Sequence, residues 1–308
     1  MNILSQFSQQ HRFATAVVAI IVSIFLFDVQ GAIIKHLAER YTVLQIAVFR
    51  NLLGMLPSLA ALYLTVQWRN SGRSLRLEKW RLGLGRGLLL VCAQLCFYLS
   101  LSRMELATAT TLAFAGPLFV TSLSVRLLGH KVGLWRGLAV AGGFVGVVLV
   151  MRPGFDGFSP VVVLPVIAAL FYAINSLTAR FFDESVPTGL INLYSAGSAA
   201  VSIALIAAIT GSWQPVEFGI DWFWLLAMGT AGGCAVLLMI TAYRLTEPSS
   251  LSPFEYFGIP FSFILGWMFF DEAPLDRLFP GVLFIVAGGL LVLWREKQLS
   301  RAGGVGAG

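Results

Sequence analysis

Two stretches of this chain are copies of one another. Residues 107–152 form an apolar run with Pro117 at its middle, a basic turn at Gly129-His130-Lys131, and a glycine-rich apolar run that ends on Arg152; residues 250–295 repeat that plan. Pro117 aligns with Pro260, Gly146 with Gly289 and Arg152 with Arg295, each at an offset of 143 (260 − 117, 289 − 146, 295 − 152). Leu26-Phe27 against Leu170-Phe171 and Trp80 against Trp224 carry the alignment through the rest of the chain at an offset of 144 (170 − 26, 224 − 80). A constant offset near half of 308 residues is an internal duplication.

The duplicated unit belongs in a membrane. The chain is 57% hydrophobic and 12% charged, where soluble domains carry about 25% charged residues. Apolar runs of about 20 residues between short charged turns match the length a helix needs to cross the hydrocarbon core. Alternating amphipathic strands are absent, which argues against a β-barrel. Ten spans are expected, at 13–34, 43–67, 82–102, 106–128, 133–151, 159–180, 188–211, 222–243, 249–270 and 276–294. The first run is too long for a signal-peptide core and holds Asp28, so it is expected to be a retained helix. The fold expected is an all-α integral membrane protein of ten helices. Residues 13–152 form one five-helix repeat and 159–295 the other, with tails at 1–12 and 296–308.

A sequence pI near 9.5 would suit nucleic acid, but the basic residues sit in short loops. With the N-terminus inside, 14 of the 21 Lys and Arg residues fall in inside segments and 5 in outside ones; Arg50 and Arg86 lie within spans. That bias places both termini in the cytoplasm, with the inner membrane as the host, the bilayer as partner and no role for nucleic acid. Each unit holds an odd number of spans, so the second must enter from the opposite side. Inverted repeats of this kind give many secondary transporters an inward and an outward state from one fold.

The residues along the chain then resemble a known family. Phe27-Asp28 with Lys35, Phe49-Arg50-Asn51, Ala107-Thr108-Ala109-Thr110 leading to Gly116-Pro117-Leu118-Phe119, and Gly142-Gly143-Phe144-Val145-Gly146-Val147 before Arg152-Pro153 are similar to the drug/metabolite transporter superfamily, in its ten-helix EamA type. The resemblance covers about residues 13–295, and its D-x6-K and F-R pattern is most similar to a subgroup that includes riboflavin and S-adenosylmethionine uptake carriers. The turn after the fourth span departs from the family's Leu-Gly-Glu, reading Leu128-Gly129-His130, while the second copy keeps an acid at Asp271-Glu272. The resemblance implies a small-molecule substrate, no cofactor and no enzymatic activity.

Ionisable residues within spans are the site candidates, because a charge at a helix centre costs about 2.5–3.5 kcal/mol on insertion scales and faces a cavity or a partner. Asp28 either lines the substrate path, with Lys35 at its outer mouth, or pairs with Arg50 on the second helix. Arg86 either faces a polar substrate group, with Gln94 deeper on its face, or snorkels to the headgroups. Glu255 lies between Pro253 and Pro260, shares a face with Ser252, Tyr256 and Ile259, and is opposite Leu112 in the first copy. A buried carboxyl there suits a proton carrier, and breaking the symmetry suits a site for one asymmetric molecule; the alternative is an ordinary Glu satisfied nearby. Tyr172, Asn175 and Tyr256 are expected to line the path; Tyr98, Phe114, Tyr194 and Trp267 are further aromatic candidates. Pro117 and Pro260 are expected to be hinges, since proline cannot donate to the helix ladder. The glycines at 142, 143, 146, 281, 288 and 289 are read as close helix packing.

Cys92 and Cys96 lie one turn apart with no His or acidic cluster beside them, which reads as small hydrophobes rather than a metal site. No Walker A motif is present. The leading expectation is a secondary transporter, monomeric or homodimeric, driven by proton or substrate exchange. Riboflavin- or S-adenosylmethionine-like uptake, export of amino acids or metabolites, a lipid-modifying membrane enzyme and a non-transporting sensor are the readings left open.

Overall fold

The computed structural model describes residues 3–64, 68–69, 72, 75–116, 118–120, 122–123, 134–151, 159–178, 181–183, 186–217, 219–245, 251, 254–288, 290–291 and 294. Pro117, His130 and the tail from residue 295 onward lie outside them. Every regular element among the described residues is helical, as it must be where no water can take up a free backbone N–H or C=O.

The first unit runs α1 (Ile3–Leu37), α2 (Val43–Leu64), α3 (Trp80–Leu101), α4 (Leu106–Ala113) and α5 (Leu134–Met151). The second opens with a 3₁₀ turn, Pro160–Val163, that leads into α6 (Leu164–Thr178). It continues as α7 (Thr188–Ile209), α8 (Ile220–Leu245) and α9 (Gly258–Phe270). The last helix, α10, comprises Leu275–Leu278 and, beyond Phe279-Pro280, helical residues 281–288. Among the described residues six segments are by themselves long and apolar enough to cross a membrane, on α1, α2, α3, α6, α7 and α8. Helix α1 starts at Ile3 rather than near residue 13, so helix extends through what reads as a polar tail in the sequence.

The packing carries the duplication. Helix α1 packs on α8 and α9; α2 on α7 and α8; α3 on α6 and α7; α4 on α6 and α9. Exchanging α1–α5 for α6–α10 maps this set of partners onto itself, which is the mark of a two-fold relation between the units. The loop tethers obey the same relation with their charges exchanged. Arg40, after α1, pairs with Asp221 at the start of α8 (3.3 Å), and Asp183, after α6, pairs with Lys79 at the start of α3 (3.7 Å). Tyr41 adds a 2.6 Å bond from its hydroxyl to the other Asp221 oxygen, which raises its pKa above the ordinary phenol value.

Lipid tails are as apolar as leucine, so helix association depends on close packing more than on burial of apolar side chains. Helix α8 supplies Gly229, Gly232 and Gly233 where Leu53, Gln30 and Pro57 press in from α2 and α1. Gly146 of α5 sits against the backbone of Gly281 and Ile285, so a Cβ there would lie 2.7 Å from both main chains. Gly142 departs from the packing expectation: a Cβ there meets nothing within 4 Å among the described residues. Gly146→Leu should therefore destabilise the purified protein by about 1–3 kcal/mol, read as a lowered midpoint of thermal unfolding in detergent. Gly142→Leu should leave that midpoint unchanged.

Candidate functional site

Helices α4 and α9 break at matching places. Helix α4 stops at Ala113 and turns at residues 114–115; residues 254–255 are helical, the chain turns at 256–257, and α9 begins at Gly258. A proline lacks the N–H for its i−4 carbonyl and its ring crowds that carbonyl. For Pro260 that position is Tyr256; for Pro117, itself outside the described residues, it is Ala113. At each turn the chain makes a tighter i→i−3 bond, from Ala115 N–H to the Leu112 carbonyl (3.1 Å) and from Ile259 N–H to the freed Tyr256 carbonyl (3.1 Å).

Gly258, just after the second break, is where three helices meet. A Cβ there would lie 2.8 Å from the Phe114 ring and 3.1 Å from Ile24 of α1. Phe114 in turn stacks on Tyr256, with ring centroids 5.5 Å apart and planes at 30°. Ile24, Asp28, Gly31 and Lys35 occupy one face of α1 by i, i+4, i+7 and i+11 spacing, and Gly31 touches Leu106 of α4. Helices α1 and α4 run antiparallel here. Asp28 lies about 6 Å along α1 from the Gly258 contact, and Thr111 about 4.5 Å along α4 in the same direction. Asp28 and Thr111 thus lie at similar depths on α1 and α4, with Thr108 one turn further on, whereas Tyr256 precedes Gly258 and lies on the other side of that contact.

These residues hold buried oxygens without partners. Asp28 Oδ2, Thr108 Oγ1, Thr111 Oγ1 and the Tyr256 hydroxyl make no hydrogen bond among the described residues, and all four residues are buried. A threonine in an apolar helix commonly bonds the carbonyl a turn back; these two do not. Unpaired buried polar atoms are rare in folded proteins and call for a ligand, water or ion. Thr108 and Thr111 are the residues that sequence reasoning missed. The signal was available in two hydroxyls at i, i+3 spacing on an otherwise apolar helix.

The other charged candidates are engaged in architecture. The expected Asp28–Arg50 pair does not form: Arg50 Nη1 instead donates to Asn51 Oδ1 at 3.4 Å, and no ion pair among the described residues includes Asp28. Gln94, expected deep in the path, exchanges two hydrogen bonds with Asn51, at 2.7 and 3.1 Å, and locks α2 to α3. Arg86 is buried rather than snorkelling, and its Nη1 donates to the Asn175 carbonyl and to Thr178 Oγ1 (2.9 Å). That carbonyl is one of the last four of α6, which have no partner in their own helix. Lys35 is bound in a clamp: Nζ lies 2.7 Å from Glu272 Oε1 and donates to the Met104 carbonyl at 2.6 Å. Glu272 Oε2 also accepts the Leu106 N–H at 3.0 Å, capping the positive end of α4. The chain reaches this point because Asp271 takes a left-handed conformation (φ 55°) that turns Glu272 back over α9.

Among the remaining candidates, Tyr172 is part-buried and makes no hydrogen bond among the described residues. Asn175, one turn on, has a buried Oδ1 without a partner. Glu255 is part-buried beside Tyr256. Tyr194 is spent on the Leu75 carbonyl (3.0 Å), and Trp267 is 60% exposed on the outer face. Among the described residues no group of three or more His, Cys, Asp or Glu side chains is placed to hold a metal.

An all-helical duplicated bundle with two broken helices over unpaired polar groups defines a multi-pass membrane transporter. The chain belongs to the EamA-like transporter family, whose model matches residues 14–152 and 159–294. It is similar to an S-adenosylmethionine uptake transporter of Rickettsia bellii, 24% identical over 265 residues, covering 86% of this chain and 88% of the relative. A riboflavin transporter of Rhizobium johnstonii is 26% identical over 206 residues, 65% of this chain and 66% of its own. A pseudopaline exporter of Pseudomonas aeruginosa is 25% identical over 296 residues, 93% and 96%. A crystal structure with a TM-score of 0.64 at 19% identity, covering 91% of this chain and 97% of the other, shares the fold. The family is one of transporters, so the lipid-modifying enzyme left open by the sequence is set aside.

The Asn51–Gln94 exchange gives a direct test of what Gln94 does. Gln94→Ala leaves a buried amide unpaired and should cost about 1–3 kcal/mol, seen as a lower unfolding midpoint. Replacing both residues by leucine should recover part of the loss.

Proposed function

We propose that the protein is a secondary transporter of the inner membrane, both termini cytoplasmic, that moves a small polar or aromatic metabolite by alternating access. The units 13–152 and 159–295 rock against each other, and α4 and α9 bend at Pro117 and Pro260. Asp28 lines the path from α1 of the first unit, Tyr256 from the α9 break of the second, and Tyr172 and Asn175 from α6. The observation that carries this reading is the pair of proline-broken helices beside a buried set of unpaired oxygens. Discontinuous helices of this kind form the substrate site of many inverted-repeat carriers. The relatives named for S-adenosylmethionine and riboflavin support uptake; the relative named as a pseudopaline exporter supports the opposite direction on the same fold.

Glu255 is assigned the coupling role. It stands on the helical step before the α9 break, and a carboxyl there can take up and release a proton as the helix bends. In proteoliposomes, Glu255→Gln should abolish flux or remove its dependence on a proton gradient while membrane insertion is kept. Unchanged flux with unchanged pH dependence would sink the assignment, and chemical conversion of the transported compound would sink the transporter reading itself.

The Lys35–Glu272 clamp serves as an outer gate. It joins the end of α1 to the α9–α10 turn, hence one unit to the other. The counterpart of Lys35 is Thr178 (35 + 143), and the matching turn reads Gly129-His130, so the Lys–Glu combination itself is not repeated in the sequence. Closure is therefore held more firmly on one side. Lys35→Met and Glu272→Gln should each raise labelling of a cysteine placed at Thr108 by an impermeant maleimide, in a background lacking Cys92, Cys96 and Cys234. Equal labelling in all variants would show that the pair is not a gate.

A further inference from the structure

Arg50 has few partners among the described residues. A guanidinium carries five N–H donors and no acceptor. Through Nη1 it donates to Asn51 Oδ1 at 3.4 Å, near the long limit of a hydrogen bond, and its Nε is buried without a partner. No ion pair among the described residues includes it. On one side it meets α1 and α8: a Cβ on Gly232 would collide with Gln30 Oε1 and lie 3.6 Å from Arg50 Nε. Gln30 Oε1 is itself buried and unbonded. Asp28, two residues before Gln30, lies about 200° round α1 from it and faces elsewhere. On the other side stand two phenols. The Asn51–Gln94 exchange fixes α2 against α3, and Tyr98 follows Gln94 by one turn on the same face. Helix α3 packs on α6, which carries Tyr172. Arg50 is close enough to both phenols to act on them electrostatically, and no carboxylate does so. Neither hydroxyl makes a hydrogen bond among the described residues. Arg50 is also part-exposed, so protein atoms do not fill the space about it.

Resting on the transport reading above, we infer that Arg50 binds the carboxylate of a substrate, with the hydroxyls of Tyr98 and Tyr172 donating to the same group. The guanidinium fork matches a carboxylate in shape and charge. A cation within a membrane span needs a cavity or a counter-charge, and a bound carboxylate supplies the second. An ammonium group would be repelled by Arg50, and a neutral ring would leave it uncompensated. The inference therefore favours metabolites that carry a carboxylate over neutral ring systems and over simple amines.

Thermal unfolding of the purified full chain, in a chloride-free detergent buffer, tests this with three probes of similar shape and different charge. These are benzoate, benzamide and benzylamine, at equal millimolar concentration. Benzoate alone should raise the midpoint, by about 2–5 °C. Arg50→Met should abolish that rise. Arg50→Lys keeps the charge but loses the planar fork, and should weaken the apparent benzoate affinity about tenfold. Tyr172→Phe removes one hydroxyl at nearly constant shape and should weaken it by a similar factor. Where Arg50→Met does not fold, these last two variants decide. The inference is overturned by no rise with benzoate, by an equal rise with benzamide, or by a rise undiminished in the Arg50 and Tyr172 variants. A variant that only lowers the unliganded midpoint and leaves the benzoate rise in place would make Arg50 structural. A midpoint raised by chloride over gluconate, with no response to benzoate, would reduce the cluster to an inorganic-anion site and overturn the substrate assignment. Absence of flux in proteoliposomes alongside intact charge-selective binding would instead defeat the transport reading and leave the binding chemistry standing.

Discussion

A peptide N–H in hydrocarbon has only the chain itself to bond to, and a proline in a membrane helix breaks that closure at a known place. Everything distinctive about this bundle gathers around two such places. Below Pro260 the ladder opens at Tyr256, the chain shortens its bonds through residues 256–257, and α9 restarts at a glycine small enough to admit Phe114 and Ile24. The matching turn at residues 114–115 puts Phe114 where it can stack on Tyr256. The breaks thus meet each other at a junction of three helices.

Duplication explains why there are two breaks and why they meet. Five helices per unit force the copies into opposite orientations, and the observed helix partners are closed under exchange of the units. The polar interactions follow that symmetry only in part. Loop tethers are conserved in place with charge signs swapped, as in Arg40–Asp221 and Lys79–Asp183. The first is buried on its acidic side; the second is largely exposed and worth little. Lys35–Glu272 has no counterpart among the described residues. The architecture is thus symmetric, while its tethers among the described residues are not.

Charges in the membrane divide cleanly once their partners are known. Arg86 serves the unfinished end of α6, Lys35 serves Glu272 and the α3–α4 link, and Gln94 serves Asn51. Each was a reasonable site candidate, because an ionisable or amide group at that depth must have something to bond. Asp28 differs from them in having neither an ion pair nor a hydrogen bond for its buried Oδ2 among the described residues, whereas Arg86 leaves only its Nε unpaired. The difference between a structural polar residue and one awaiting a ligand lies in the partner rather than in the residue.

The sequence by itself determined the class of fold. Run length, loop charge, the constant offset and the duplicated proline follow from the hydrophobic thickness of a bilayer and the chemistry of the peptide bond, and these act locally along the chain. It also exposed the positions of the helix breaks, since a proline acts on a carbonyl four residues away. Which buried groups remain unpaired was decided only by tertiary structure. Asp28 and Arg50 carry complementary charges on adjacent helices, yet Arg50 bonds to Asn51 and no ion pair among the described residues includes Asp28. Thr108 and Thr111 look like ordinary helix threonines until their hydroxyls are found without bonds. Hydrogen bonding depends on distance and direction to within fractions of an ångström, and those quantities exist only after ten helices have packed.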